Sequence, residues 1–205
     1  MEFTVESYTD FGKAGWKGDA MNVFDVDDTL IVTDAQIHVY DPITKKKFSL
    51  TPQEYNDFKA QKHQQMDFSD FDKIEIMRKG IIVDWVFTIL KKTMIMKKAV
   101  GIITARNDAK LIRQFFLEQG IDINPKFIFA VGGPHKDSVA QRKKDAFKKL
   151  VTLGFKRFQY FDDDKSNIKL AKTLEDDYDD VTVKTKLIKG KHLPQLKKDL
   201  KQIEK

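Results

Sequence analysis

The sequence predicts an α/β fold in which helices cover both faces of a parallel sheet. After residue 25, short apolar runs alternate with segments whose apolar residues recur at helical spacing. Strands separated by helices pair in parallel, because a long crossover brings the chain back to the same edge. Polar residues directly follow several of the apolar runs. In such sheets the functional site lies at the carboxyl ends of the strands, so a site is predicted at that edge.

The predicted strands are short apolar runs bounded by turn residues. They are placed at 21–24, 99–103, 127–131, 158–161 and 181–188. The predicted helices have one apolar face, and glycines at 120 and 154 stop two of them. They are placed at 79–96, 107–119, 138–153 and 166–174. A last amphipathic helix is expected over 193–203, where the apolar residues are spaced three, four and three apart.

A small insertion is predicted at residues 31–72, after the first strand. A β-hairpin is expected over 35–50, with its turn at 41–44. A short helix should follow, because Thr51, Pro52 and Glu54 have the pattern of a capping box with proline at the first helical position. Residues 66–72 are predicted to be loop. The insertion is too small to be a separate lid domain.

The composition indicates a globular protein, with 41% hydrophobic and 33% charged residues. Its 205 residues suit one domain, 1–205, whose first twenty residues could add an edge strand. There are no cysteines, and the four histidines lack paired metal-binding spacing, so any metal should be a hard ion on oxygen ligands. The longest apolar stretch, 80–90, is too short to span a bilayer, and the N-terminus does not resemble a signal peptide. A cytoplasmic protein without a membrane partner is therefore expected.

The net charge of +6 could indicate a polyanionic partner. Lysines are concentrated late in the chain, at positions 184, 186, 189, 191, 197, 198, 201 and 205. The alternative, which we favour for the final segment, is a helix whose lysines simply face water.

Asp25 and Asp27 follow the first predicted strand and are the most informative residues of the chain. Side chains at i and i+2 of an extended segment point to the same side, so these carboxylates crowd each other. At ~4 Å two carboxylates repel by roughly 4 kcal/mol at an effective dielectric of about 20. A fold keeps such a pair where a metal ion offsets the charge, or where one acid attacks and the other transfers protons. The alternative is a capped turn, since Asp and Thr are common turn residues.

Two other strand ends supply polar groups. Thr104 follows the strand 99–103, and its hydroxyl and adjacent N–H could hold an anion, since Asn107 or Asp108 is better placed to cap the next helix. The alternative is that Thr104 itself is that cap. Three acids follow the strand 158–161, where Asp164 can serve the next helix start. Asp162 and Asp163 are then the metal candidates, against the alternative of a solvated turn.

One lysine of the helix 138–153 should reach these carboxylates. Lys143 lies four residues before Phe147 and seven before Leu150, on the buried face of that helix. Helical side chains lean toward the N-terminus, which in a βαβ unit is the edge that carries the site. Lys144 points about 100° away and is the alternative.

With these groups in this order, the chain resembles the haloacid dehalogenase (HAD) superfamily of phosphohydrolases over roughly residues 20 to 190. The first family motif, DxDx[TV], is matched by Asp25-Val26-Asp27-Asp28-Thr29. The other three motifs fall on Thr104, Lys143 and the pair Asp162-Asp163. The resemblance implies a Rossmann-like, HAD-like sheet.

The resemblance also implies a chemistry. Asp25 would attack phosphorus to form an aspartyl-phosphate, while Asp27 would protonate the leaving oxygen and then deprotonate a water. Mg²⁺ would be held by Asp25, the Asp27 main-chain carbonyl and either Asp162 or Asp163. Lys143 and Thr104 would hold the non-bridging oxygens, and Arg106 and Thr29 are expected to contact the substrate. An acid at Asp27 favours ester hydrolysis over dehalogenation.

The substrate is a separate expectation. The stretch from Lys143 to Asp163 is similar to the phosphatase domain of bacteriophage polynucleotide kinase-phosphatases, which implies a 3′-phosphate at a nucleic-acid end. Arg106 and the hairpin lysines Lys45, Lys46 and Lys47 would contact the backbone. No kinase P-loop, GxxxxGK[ST], is present. The alternatives are a nucleotidase acting on nucleoside monophosphates and a non-catalytic binding module with the same fold.

Overall fold

The computed structural model describes residues 18–133 and 135–188. The strands are β1 (Ala20–Phe24), β2 (Ile31–Val32), β3 (Ile37–Asp41), β4 (Lys46–Leu50), β5 (Gln65–Asp67), β6 (Ile81–Ile82), β7 (Ala99–Thr104), β8 (Ile128–Ala130), β9 (Arg157–Asp162) and β10 (Thr182–Leu187). The α-helices are α1 (Pro52–Asp57), α2 (Ile74–Lys79), α3 (Asp84–Ile95), α4 (Ala109–Glu118), α5 (Val139–Thr152), α6 (Lys165–Lys172) and α7 (Leu174–Asp177). Short 3₁₀ helices span Ser69–Asp72 and Pro125–Phe127.

A five-stranded sheet forms the centre of the molecule, in the order β10-β9-β1-β7-β8. All four neighbouring pairs are parallel, as the alternation of strands and helices predicts. Phe24 of β1 is in register with Ile102 of β7 and Phe161 of β9, so the strand ends are level. Their carboxyl ends therefore meet at one edge.

Helices cover both faces of this sheet, which confirms the predicted fold class. On one face, α3 and α4 contribute the side chains Val86, Phe87, Leu90, Ile112, Phe115 and Phe116 to a core that includes Phe24 and Phe161. The rings of Phe24 and Phe161 stack with centroids 4.7 Å apart. On the other face, Ala146, Phe147 and Leu150 of α5 pack against Met21, Val23 and Tyr160.

The insertion after β1 builds its own antiparallel sheet, in the order β4-β3-β5. The predicted hairpin is confirmed as β3 and β4, and the predicted capping box of Thr51 and Glu54 is present at the start of α1. The prediction of loop for 66–72 is wrong. Met66 of β5 pairs with Val39 of β3. The Asp67 carboxylate then accepts from the Ser69 N–H at 2.8 Å, at the start of a 3₁₀ turn.

The prediction of one helix over 79–96 is also wrong. The chain forms α2, the short strand β6 and then α3, because β6 pairs with β2 and draws the backbone out of helical conformation. Gly80 ends α2 with ψ 157°, and a Cβ there would lie 2.7 Å from the side chain of Ile31. The close approach of these two short strands thus needs a glycine.

The other elements match the prediction within a few residues. Asp108, Ser138 and Asp164 cap α4, α5 and α6, and the glycines that follow α4 and α5 have positive φ. Helix α7 was not predicted. The expected helix over 193–203, and most of the expected N-terminal edge strand, lie outside the described residues. Within the described part of the chain, no helix has the length and apolar character needed to cross a membrane.

Candidate active site

The polar groups predicted at the strand ends come together at the carboxyl edge of the sheet. Asp25 follows β1, and its N–H donates to the carbonyl of Phe161 in β9 at 2.9 Å. Asp162 is the last residue of β9, and Asp163 follows it. Asp25 and Asp162 are buried. One carboxylate oxygen from each of Asp25, Asp162 and Asp163 lies within 4.8 Å of the others.

Lys143 reaches this cluster from the first half of α5. Its Nζ donates to Asp25 Oδ1 and to Asp162 Oδ2, each at 2.8 Å, and its side chain is 4% exposed. Lys144 points elsewhere, to the Thr173 hydroxyl at 2.7 Å and to Asp177 at 3.0 Å. Of the two alternatives, Lys143 is therefore the one beside the carboxylates, because consecutive helical residues are separated by about 100°.

The Asp162 carboxylate is surrounded by donors. Oδ2 accepts from Lys143 and from the Tyr160 hydroxyl, and Oδ1 accepts from the Asp164 N–H at 2.8 Å. The side-chain amide of Asn167 in α6 lies 3.1 Å from both oxygens. A carboxylate offers about four lone-pair directions, so these contacts occupy the acceptor capacity of Asp162. The residue fixes Lys143 in place.

Asp163 has far fewer partners. The Thr29 hydroxyl donates to its Oδ1 at 3.4 Å, which is a long hydrogen bond. Its carboxylate therefore keeps acceptor capacity for a further ligand. Thr29 is fully buried and donates to Asp163, and its expected contact with the substrate stays a prediction.

Burial and mutual repulsion raise the pKa values of two carboxyl groups in this cluster. Burial, followed by the charge of Asp25, raises the pKa of Asp163 to about 9. Burial also raises the pKa of Asp25 to about 7, against the opposing attraction of Lys143. Burial would lower the pKa of Lys143, but the carboxylates of Asp162 and Asp25 outweigh it and raise this pKa. The described residues thus place more buried carboxyl groups here than one lysine can neutralise, so Asp25 and Asp163 tend to keep their protons.

Asp27 forms a bidentate ion pair with Arg106. Arg106 Nε and Nη2 donate to the two Asp27 carboxylate oxygens at 2.9 and 2.7 Å, and Nη1 donates to the Phe71 carbonyl at 2.7 Å. The Arg106 side chain is 0% exposed. The expected contact of Arg106 with a nucleic-acid backbone stays a prediction, and it is not favoured by this arrangement, because the guanidinium is buried and three of its N–H groups bond within the protein. It joins Asp27 to the insertion.

Thr104 ends β7 and is fully buried beside this pair. Its hydroxyl oxygen accepts from the Arg106 N–H at 3.2 Å, which leaves the hydroxyl proton to donate elsewhere. Asp108 caps α4, as its position predicted, so Thr104 is not the cap.

Asp28 is buried close to the acidic cluster and has a positive φ of 56°. Its charge contributes to the raised pKa of Asp163.

Sequence reasoning missed Tyr160 and Asn167. Tyr160 precedes Asp162 by two residues in a strand, and this spacing puts both side chains on one face, so the contact had a signal in the sequence. Asn167 lies in the first turn of α6, and its approach to Asp162 depends on how that helix packs. No sequence pattern predicts the contact of Asn167 with Asp162.

Comparison with known proteins adds no family assignment. The chain matches no protein-family model, and no curated protein matches it.

Proposed function

We propose that this protein is a Mg²⁺-dependent phosphohydrolase of the HAD type that works through an aspartyl-phosphate on Asp25. One observation carries the proposal: Lys143 Nζ lies 2.8 Å from both Asp25 and Asp162, with Asp163 completing a buried acidic group. A nucleophile, a fixed cation and free acceptor oxygens are what phosphoryl transfer requires of a protein. Their order along the chain follows the family motifs described above.

The donor set fits a magnesium ion. The group is built from carboxylate oxygens alone, which a hard cation prefers, and two of its carboxyls have pKa values raised by burial and repulsion. Asp25 and Asp163 would hold the ion, with the Asp27 main-chain carbonyl as the third protein ligand implied by the family pattern. Asp162 is less suited, since donors already occupy its oxygens. When bound, the ion would neutralise charge on the acids and on the transferring phosphoryl group.

The residues of the chain divide the reaction between them. Asp25 attacks phosphorus, and the bond to the leaving oxygen breaks while Asp27 gives that oxygen a proton. Asp27 then takes a proton from the water that attacks the aspartyl-phosphate, which releases phosphate and restores Asp25. Lys143 and the Thr104 hydroxyl donate to the non-bridging oxygens, where charge accumulates. Arg106 holds Asp27 in one orientation for both proton transfers.

Replacing Asp25 by Asn tests this proposal. Asn cannot form the acyl phosphate, so hydrolysis of a generic aryl phosphate should fall by 10³-fold or more, the order expected for loss of a nucleophile. The exposed Asp57→Asn is the matched control. Wild-type activity should disappear with a chelator and return with Mg²⁺. An unchanged rate in Asp25→Asn, or a wild type that hydrolyses no phosphate ester, contradicts the proposal.

For the substrate we propose a 3′-phosphate at a nucleic-acid end. This substrate follows from the resemblance described above, and the formal net charge of +6 is compatible with an anionic polymer. Turnover should then fall steeply with salt on oligonucleotide ends.

A nucleoside monophosphate is the second candidate, favoured by the exposed aromatic ring of Phe68, which packs edge-on against Tyr55 in the insertion. Such a ring could stack on one base. Equal, salt-insensitive rates on mononucleotides would select this candidate.

A further inference from the structure

Part of the central sheet presents a polar face between α3 and the edge strand β10. Residues in register across three strands share this face: Asn22 of β1, Gln159 of β9 and Lys184 of β10. Gln159 and Lys184 are exposed. On the α3 side, the Asn22 amide donates to the Thr93 hydroxyl at 2.8 Å, so the helix borders this surface.

This surface is concave and basic. A groove of about 320 Å³ is lined by Lys98, just after α3, by Arg157 at the start of β9 and by Lys184. Arg157 is paired with Asp19 at 2.8 Å. Among the described residues, Lys98 and Lys184 have no carboxylate partner, and both are exposed. We call Lys98, Arg157, Lys184 and Lys186 together the basic groove.

The basic groove continues toward the candidate active site. Side chains alternate along a strand, so Lys184 and Lys186 lie on the same face of β10, about 7 Å apart. Lys186 is in register with Phe161, one residue before Asp162. Beyond Lys186, the Ile188 N–H donates to the Asp162 carbonyl at 2.8 Å. A strand of polymer lying along β10 would thus reach the carboxyl edge of the sheet. Its end would have to pass over the end of β9 to reach the Asp162 side chain, which lies on the opposite face with Tyr160.

Charge elsewhere around the site does not favour a polyanion. The carboxyl edge is acidic, and the insertion 31–72 has five lysines against seven carboxylates. Its Lys47 also lies over the ring of Tyr40, with 5.7 Å between Nζ and the ring centroid. The hairpin lysines are therefore a weaker candidate for backbone contact than the basic groove.

We propose that the basic groove binds the phosphodiester backbone of the nucleic-acid strand whose terminal phosphate enters the active site. The proposal rests on the proposed function for the role of the terminal phosphate. The binding itself needs only Lys98, Lys184 and Lys186, and it can be measured without turnover. An exposed lysine contributes to such binding mainly by releasing counterions from a phosphate.

The test is equilibrium binding of a fluorescent, 3′-phosphorylated single-stranded oligonucleotide to the full chain, with a chelator present. Each lost phosphate contact reduces the salt slope by about 0.7, or about fivefold in affinity at 0.1 M salt. The double variant Lys184→Gln with Lys186→Gln should therefore bind about 5- to 25-fold more weakly, with a slope lower by about 0.7 to 1.4, for one or two lost contacts. Lys98→Gln with Lys184→Gln is a second variant of the same surface.

The matched control is Lys126→Gln with Lys149→Gln, which removes the same charge from two exposed positions outside the groove. It should keep nearly wild-type affinity. Equal losses in control and groove variants, no loss in either groove variant, or competition by polyglutamate as strong as by unlabelled oligonucleotide would overturn the proposal. Wild-type hydrolysis of an aryl phosphate, measured in parallel, shows separately whether the proposed function fails.

Discussion

Two adjacent acids, Asp162 and Asp163, have different surroundings although the sequence treats them alike. Asp162 accepts hydrogen bonds from Lys143, Tyr160 and Asn167, whereas Asp163 has one long contact to Thr29. A saturated carboxylate orients its donors, and an unsaturated one can take a ligand. Asp162 therefore positions Lys143, and Asp163 is the better ligand for the proposed Mg²⁺.

The raised pKa of Asp163 predicts how stability depends on pH in the metal-free protein. The pKa is about 9 when folded, against an ordinary value of 3.8, so the folded state keeps a proton that the unfolded state releases. The stabilisation is complete below about pH 4 and is lost as pH rises toward 9. With a chelator present, the Tm of the wild type should fall from pH 7 to pH 9, and the fall should be smaller in Asp163→Asn, whose amide does not ionise.

The control for this experiment is Asp57→Asn, which should follow the wild type. Mg²⁺ added at pH 9 should raise the Tm of the wild type more than that of Asp163→Asn, because the ion binds the ionised carboxylate. An identical pH dependence of the Tm in wild type and Asp163→Asn would show that the pKa of Asp163 is not raised in the folded protein.

Two residues that follow β7 attach the insertion to the edge of the central sheet. Arg106 donates to the Phe71 carbonyl, and the Asn107 amide donates to Asp72 at 3.4 Å. Both partners lie in the 3₁₀ turn Ser69–Asp72. One guanidinium thus contacts both Asp27 and the insertion.

Arg106→Met should therefore loosen the turn at 69–72. The change leaves the Asp27 carboxylate and the Phe71 carbonyl without their donor. Such a loss costs about 1–3 kcal/mol for a fully buried polar group and less for these two partly buried groups. Hydrogen exchange at the Phe71 and Lys73 amides, which bond to the carbonyls of Phe68 and Asp70, should become faster.

The control is Arg78→Met, which breaks an exposed pair with Glu118 and should leave these amides unchanged. Unchanged exchange in Arg106→Met would mean that other contacts hold the insertion.

For the molecule as a whole, the strand ends could be predicted and the contacts between distant segments could not. Asp25, Thr104 and Asp162 directly follow apolar runs, and parallel strands place those ends at one edge. Lys143 could be placed because helical periodicity puts it on the face of Phe147. The burial of Arg106 depends on the path of residues 65–72, whose strand and 3₁₀ turn have too few apolar residues to show a period. No local sequence pattern predicts that Arg106 contacts the Phe71 carbonyl.

The charge of the molecule is also divided in a way that composition does not reveal. Carboxylates crowd the carboxyl edge of the sheet, whereas Lys98 and Arg157 lie at the amino ends of β7 and β9. The net charge of +6 therefore does not describe the surroundings of the site. This separation supports our proposals of polymer binding on the sheet face and of Mg²⁺ binding at the carboxyl edge.

Trapping the phosphorylated residue tests the role of Asp25 most directly. In Asp27→Asn, an aryl phosphate with a good leaving group needs no acid and can still react, but the base for the second step is absent. Acid-quenched protein should therefore carry an acyl phosphate at Asp25, identified by mass spectrometry of its peptide after borohydride reduction. Phosphate on another residue, or no labelled protein alongside an active wild type, would contradict Asp25 as the nucleophile.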